Sequence, residues 1–259
     1  MDSTEERVLK TSPEAPVTPA DTDNRWDDRT RTLLGDQAVD RLAKSRVLIV
    51  GAGGVGGYAA EMLARSGVGH LTLIDADNVD ITNINRQIIA TRSSVGLPKT
   101  ELFISRFRDI NPDISVKGMQ TFLTPDNVAE ILDEGYDYIV DAIDTVAPKC
   151  ALITEALRRK IPIISSMGAG GRTDPTRVVY SDLWSTAEDG LARAVRQRLK
   201  KNGFTNKRKL KVVCSTEAPS RKAIIDLDLP NKRSSFGTLA TIPSLFGIFL
   251  AAEVIRQLS

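Results

Sequence analysis

Cysteine is nearly absent: the 259 residues hold two, Cys150 and Cys214, far apart in the chain. That excludes a disulfide framework and a four-cysteine zinc site, and a reducing compartment, the cytoplasm, is the natural setting. The single histidine, His70, opens an apolar run and reads as a structural residue. Aromatic residues make up 5% of the chain, too few to line an extended base-stacking surface. The N-terminus lacks an apolar core, so it reads neither as a signal peptide nor as an arginine-rich transit peptide. No internal repeat is visible.

What is present describes a globular α/β chain. The apolar fraction is 41%, enough for a large core. Net charge is only +2, but its sign is unevenly spread. Residues 1–30 carry eight acids against four bases, whereas Leu191–Lys211 carries nine bases and no acid. Residues 1–22, rich in Thr, Pro, Glu and Asp, read as a flexible tail. Phe236–Ile255 is uncharged until Glu253 and nearly long enough to span a bilayer. Pro243 and the scattered Thr and Ser favour a buried helix closing a large sheet, and membrane contact is not expected.

Apolar runs alternate with helical patterns from residue 29 onward. Arg29–Ser45 has helical spacing, Val47–Val50 is a short apolar strand, and a glycine turn opens a helix ending near Ser66–Gly67. His70–Asp75 completes a βαβ unit. Helices follow at Lys99–Ile110, after Thr124–Asn127 and around Pro148, with strands near Ile114–Lys117, Tyr136–Asp144 and Ile161–Ser166. The expected fold is a Rossmann-like, doubly wound, mostly parallel sheet with ligands at the strands' carboxyl ends. The pattern loosens after Gly168 into a more irregular C-terminal half.

Gly51, Gly53, Gly54 and Gly56 in "GAGGVG" follow a strand and open a helix, which suits close approach to phosphates. The motif alone does not separate NAD, FAD and ATP. Asp75 closes the second strand, where an acid accepts hydrogen bonds from ribose hydroxyls. Asp77 adds a second carboxylate. Asn83, Arg86 and Gln87 then follow, and Lys99 comes in "GLPKTE". A dinucleotide pyrophosphate is satisfied largely by backbone N–H groups, whereas a triphosphate, with about twice the charge, needs side-chain cations. Asp144 in "DAID" faces the same crevice; a carboxylate beside phosphate oxygens is tolerable when a cation lies between them, which points to Mg²⁺. It would also suit a helix N-cap, and capping does not exclude a metal.

"GAGGVGG", "DADNVDITNINRQ", "VGLPKTE" and "VDAID" resemble, in order and spacing, the ubiquitin-activating-like adenylyltransferases of the ThiF/MoeB/HesA type. The resemblance implies ribose held by Asp75, phosphates contacted by Asn83, Arg86 and Lys99, and Mg²⁺ on Asp144, with ATP as the nucleotide. It implies a homodimer too, in which an arginine ahead of the first strand reaches the partner subunit's ATP. Arg29 is the best match and Arg25 the alternative. "GAGGRTDPTRVVYSDLW", "STEAP", "INPD" and "TPDNVAE" are similar to one subfamily, the tRNA threonylcarbamoyladenosine dehydratases, over roughly Arg29 to the C-terminus. Residues 220–233 are shorter than that subfamily's segment. Residues 23–259 then form one adenylating domain, with a nucleotide half at about 29–166 and an RNA-facing half at about 167–259.

In that subfamily ATP activates the carboxylate of the threonylcarbamoyl group on a tRNA adenosine, and a ring closes with loss of AMP. The basic stretch suits such a partner: Arg193, Arg196 and Lys200 share a helical face, and Lys207 and Arg208 add a cluster. A solvated helix face is the plain alternative. Two other function classes stay open. One activates the C-terminus of a ubiquitin-like or sulfur-carrier protein, with sulfur-transfer or carrier partners; Cys214 is its one plausible thiolate, and the paired CxxC motifs of many such enzymes are missing. The other is an NAD-linked oxidoreductase.

Overall fold

The computed structural model describes residues 25–229 and 232–259, so the expected tail at 1–22 lies outside the described residues. The first helical pattern resolves into two helices, α1 (Asp28–Leu34) and α2 (Asp36–Lys44), rather than one. Gly35, at φ +83°, breaks them apart. Strand β1 (Arg46–Val50), helix α3 (Gly56–Arg65) and strand β2 (His70–Ile74) form the βαβ unit. Then come α4 (Lys99–Ile110), β3 (Ser115–Met119), α5 (Val128–Asp133), β4 (Tyr138–Asp141) and α6 (Val146–Arg159). The Thr124–Asn127 segment before α5 forms a turn, Thr124 N–H donating to Asn127 Oδ1 at 2.8 Å, but the helix has no side-chain cap at Asn127. The chain continues through β5 (Ile163–Ser166), β6 (Val178–Asp182), α7 (Gly190–Lys201) and β7 (Lys211–Ser215). It ends with a hairpin, β8 (Ile224–Leu229) and β9 (Lys232–Phe236), and helix α8 (Thr241–Leu258).

Seven strands form one sheet in the order β3-β2-β1-β4-β5-β7-β6, parallel except for β6, which runs antiparallel to β7 at the edge. The C-terminal half therefore extends the same sheet. Strand alternation buries both faces: Val47 and Ile49 pack with α3, α4 and α8, while Leu48 and Val50 face the layer of α5, α6 and α7. From β1 the chain moves outward to β2 and β3 on one side and to β4 and β5 on the other. The ends of β1 and β4 are thus the switch point where a ligand crevice opens.

Helix α8 passes the length and composition test for a membrane span, but it packs closely on α3 and buries Ile242, Phe246, Leu250 and Val254. Gly247 makes that packing close: a Cβ there would lie 2.4 Å from Val55 O. Gly247→Ala forces the helices apart and is expected to cost about 1–3 kcal/mol, read as a lower melting temperature.

One carboxylate ties α3 to α4. Glu61, almost fully buried, accepts hydrogen bonds from Arg65 Nε (2.7 Å) and from Arg106 Nε (2.7 Å) and Nη2 (2.9 Å). Burial pushes its carboxyl upward, but the Arg106 and Arg65 hydrogen bonds and charges outweigh burial and hold it below the ordinary 4.5. A depressed folded-state pKa gives stability that is present above the unfolded value and lost as pH falls through the folded one. Glu61→Gln should therefore be less stable by about 1–2 kcal/mol at pH 7. In pH-dependent melts that gap should close as the solution is acidified below 4.5.

Candidate active site

A cavity of about 560 Å³ opens at the carboxyl ends of β1, β2, β4 and β5, within the range of small-molecule sites. It gathers the expected Gly51, Gly53, Gly54, Asp75, Asp77, Asn83, Arg86, Gln87, Lys99 and Asp144 into one wall. Gly56 is not on that wall. It sits behind it, where a Cβ would fall 1.7 Å from Gly51 O, so its role is to let α3 start beneath the turn. Gly51, at φ +90°, brings the turn against the segment after β4: a Cβ would lie 2.8 Å from Ala142 O.

Asp75 knits the turn to β2. Its Oδ2 accepts from Ala52 N–H at 2.7 Å and its Oδ1 from Asp77 N–H at 2.9 Å. Lys99, buried at the start of α4, sets its ammonium 2.9 Å from Asp77 Oδ2 and 3.5 Å from Asp75 Oδ1. Lys99 is therefore not an idle cation beside the glycine turn; its charge is shared between two carboxylates of the wall. Asp75, with few lone pairs left, has room for about one further donor, and the exposed Asp77 carboxylate is the more accessible of the two.

Arg86 is half-buried, with Nη1 donating to Thr82 O (2.9 Å) and Asn85 Oδ1 (3.0 Å). Its remaining guanidinium donors are not taken up by these bonds. Asn83 accepts from Asp80 N–H through Oδ1 at 3.2 Å, which fixes its amide within the wall. Gln87 lies over Gly53, and its Oε1 is a buried acceptor with no partner among the described residues. An orphaned buried polar atom beside an open glycine turn is a mark of a site built around a polar ligand. Asp144 lines the wall, and the N-cap residue of α6 is Thr145.

The described residues contain no group of three or more His, Cys, Asp or Glu able to cage a metal. The donor set on this wall, the Asp144 carboxylate, would fit only an ion such as Mg²⁺ that keeps most of its ligands as water or as ligand oxygens.

The far side of the cavity was not legible beforehand. Arg172, buried after β5, donates through Nε to Glu217 O (2.9 Å), through Nη1 to Gly168 O, and through Nη2 to Glu188 O (3.0 Å). Asp189 accepts from Arg172 Nη2 (3.3 Å), from Gly168 N–H (3.0 Å) and, as the N-cap of α7, from Ala192 N–H (2.8 Å). Glu217, in "STEAP", accepts from Asp174 N–H (2.9 Å) and Thr173 N–H (3.0 Å), which hold its carboxyl below the ordinary range. Three loops are thereby clasped together with Phe236 and Pro219 to form the half of the cavity away from the glycine turn.

Both thiols are buried. Burial pushes Cys214 upward, the Asp189 carboxylate adding in the same direction, and Cys150 is raised to about 11. The basic residues divide. Arg193 and Lys200 are exposed on α7, but Arg196 turns inward, its Nη1 donating to Leu183 O (3.1 Å) and Thr186 O (3.0 Å). Lys207 and Arg208 lie in the loop entering β7, at the end of the sheet opposite the cavity. Arg29 is exposed on α1 and does not reach its own chain's cavity. Arg25 is engaged by Asp27 at 3.0 Å.

The sequence model of the ThiF family matches residues 28–259. The tRNA threonylcarbamoyladenosine dehydratase of Escherichia coli is 42% identical, with 88% of this chain and 91% of that protein covered. The protein of the same name from Bacillus subtilis is 40% identical, over 89% and 93% of the two chains. The crystal structure of the E. coli enzyme in complex with ATP superposes with a TM-score of 0.82 at 42% identity, covering 89% of this chain and 92% of that one.

Proposed function

Since this chain belongs to the ThiF family, we propose that it is an ATP-dependent dehydratase of N6-threonylcarbamoyladenosine in tRNA, working in the cytoplasm. The observation that carries this reading is the crevice itself: a glycine turn, Asp75, Arg86, Lys99 and Asp144 on one wall, in a chain alike over its length to an enzyme crystallised with ATP. An oxygen of the threonyl carboxylate attacks the α-phosphorus, the bond to the β-phosphate breaks, and pyrophosphate leaves. A nitrogen of the same substituent then attacks the activated carbonyl carbon and loses its proton, and AMP departs. One water is removed in sum. The nucleophile belongs to the substrate, so effective molarity is high and no protein thiolate is required. The raised thiols agree with that and disfavour a carrier-protein activator.

The protein's share is charge and position. Backbone N–H groups of the glycine turn and the start of α3 face the phosphates. Arg86 and Lys99 offset the charge that builds as pyrophosphate leaves. Asp144 would hold a Mg²⁺ ion that arrives with the nucleotide, whose charge would offset that of the phosphates. Asp75 and Asp77 take the ribose, and Asn83 and Gln87 complete the polar wall. The clasped loops of Arg172, Asp189 and Glu217 receive the modified adenosine. Helix α7 starts at the cavity and runs about 18 Å, so Arg193, Lys200, Lys207 and Arg208 mark a path for the RNA backbone from the crevice to the far end of the sheet. Arg29 of one protomer completes the site of another, which makes the working unit a homodimer.

Mass spectrometry of nucleosides from tRNA incubated with the protein and ATP tests the reading. Threonylcarbamoyladenosine should lose one water, with AMP and pyrophosphate produced. An unchanged nucleoside beside adenylation of a carrier protein would reverse it.

A further inference from the structure

Beneath the crevice lies a polar cluster that is not part of its lining. Lys149 of α6 and Asp141 of β4 are both fully buried, at 0% exposure, with Nζ 2.8 Å from Asp141 Oδ2. Ser165 Oγ donates to the same Oδ2 at 2.6 Å. The cluster grips the backbone of one residue, Ile143, on both sides of its Cα. Ile143 N–H donates to Asp141 Oδ1 at 3.1 Å, and Lys149 Nζ donates to Ile143 O at 2.8 Å.

A buried ion pair is a poor way to gain stability, because desolvating two charges offsets most of their attraction and apolar residues of similar size do as well. Lys149 sits in phase with Ile153 and Ala156 on the buried stripe of α6, where an aliphatic side chain would serve packing alone. Its location suggests a different purpose. Ile143 lies between Ala142, whose carbonyl abuts Gly51, and Asp144, which lines the cavity. Fixing both hydrogen-bonding groups of Ile143 therefore fixes two things at once: the contact with the glycine turn, and the direction in which the backbone presents Asp144.

We propose that Lys149, with Asp141 and Ser165, is a positioning residue of the nucleotide site, holding the Ala142–Asp144 turn so that Asp144 meets a phosphate-borne divalent cation. The proposal rests on the ATP reading given above. The Lys149 ammonium is sealed from the cavity by the turn it holds, so it acts only through Ile143. Groups that orient a metal-facing carboxylate typically matter about 10–100-fold in metal affinity or activity.

The test compares wild type, Lys149→Met and the pair Asp141→Asn with Lys149→Met. The single variant leaves a buried carboxylate without its partner and should melt well below wild type. In the pair no charge is left unpaired, so most of that melting temperature should return. The grip on Ile143 O should not return: the Mg²⁺ concentration for half-maximal pyrophosphate release should stay raised by about tenfold. The rise in melting temperature given by ATP with Mg²⁺ should stay smaller than in wild type. A paired variant with both wild-type melting and wild-type Mg²⁺ dependence would overturn the proposal and leave Lys149 a plain core contact. Ser165→Ala, which removes one hydrogen bond to Asp141, should shift the Mg²⁺ dependence in the same direction if the paired variant does not fold; no shift there would overturn the proposal too. Should the wild type itself gain no melting temperature from ATP and Mg²⁺, the nucleotide reading fails, and this proposal with it.

Discussion

Arg86→Ala should lower the rate of pyrophosphate release by about 10²–10³, with a melting temperature close to wild type. The two halves of that expectation have separate grounds. Arg86 is half-buried and its Nη1 bonds go to Thr82 O and Asn85 Oδ1, both on exposed residues that water can satisfy once the guanidinium is gone. Losses of that kind usually stay within about 0.5 kcal/mol. The rate is another matter, because negative charge accumulates on the departing pyrophosphate, and a donor aimed at it in a site shielded from water is worth about 2.7–4 kcal/mol. Arg86→Lys should recover only part of the loss, since an ammonium cannot reproduce a two-pronged contact with phosphate oxygens. Lys99 would be a poorer probe. It is buried between Asp75 and Asp77, so its removal leaves two carboxylates facing each other and confuses stability with catalysis. A rate for Arg86→Ala within about tenfold of wild type would mean that the phosphates lie elsewhere in the cavity.

What the sequence made legible follows from where the information sits along the chain. The apolar run Val47–Val50, the glycines behind it and the acid at the end of the next strand are local signals, and they specify strand, turn, helix and strand in turn. The cavity wall was readable for the same reason: Asp75, Asp77, Asn83, Arg86, Gln87 and Lys99 fall within one short stretch and line it together. The break at Gly35 was missed because Arg29–Ser45 keeps helical spacing across it, while the positive φ of Gly35 appears only in the folded chain. The clasp of Arg172 was out of reach. Its partners stand 17 residues away at Asp189 and 45 away at Glu217, and only the pairing of β5 with β7, together with the start of α7, brings them together. Arg196 illustrates the converse error. Periodicity set it on a basic outer face, yet it borders the buried stripe of Ala192, Val195 and Leu199 and is drawn inward to the carbonyls of Leu183 and Thr186. Lys149 left a faint trace, a charge in phase with a core stripe, which periodicity alone cannot tell from a misplaced solvent residue.

Mixing two inactive proteins should restore activity, and this is the sharper test of how the site is completed. Helix α1 buries none of its residues: its Leu33 is 82% exposed, and Trp26 just ahead of it 45%. Of its cations, Arg31 is held by Asp27, Asp36 and Asp40 at 2.8–3.1 Å, whereas Arg29 is exposed and makes no ion pair with the described residues. A cation on an uncovered helix that does not reach its own cavity is suited to the cavity of a second copy. Arg29→Ala and Asp144→Ala should each lower pyrophosphate release by about 10²–10³. After subunit exchange in an equal mixture, half of the dimers pair one variant with the other. Each such dimer has one site with both residues intact and one with neither, so the mixture should regain about a quarter of the wild-type rate. The Arg29→Ala protein must keep its dimeric mass in solution for that arithmetic to apply, and Leu33→Asp should break the dimer and abolish the recovery. A mixture no more active than its components, with dimers exchanging freely, would show that each chain completes its own site and that Arg29 serves elsewhere.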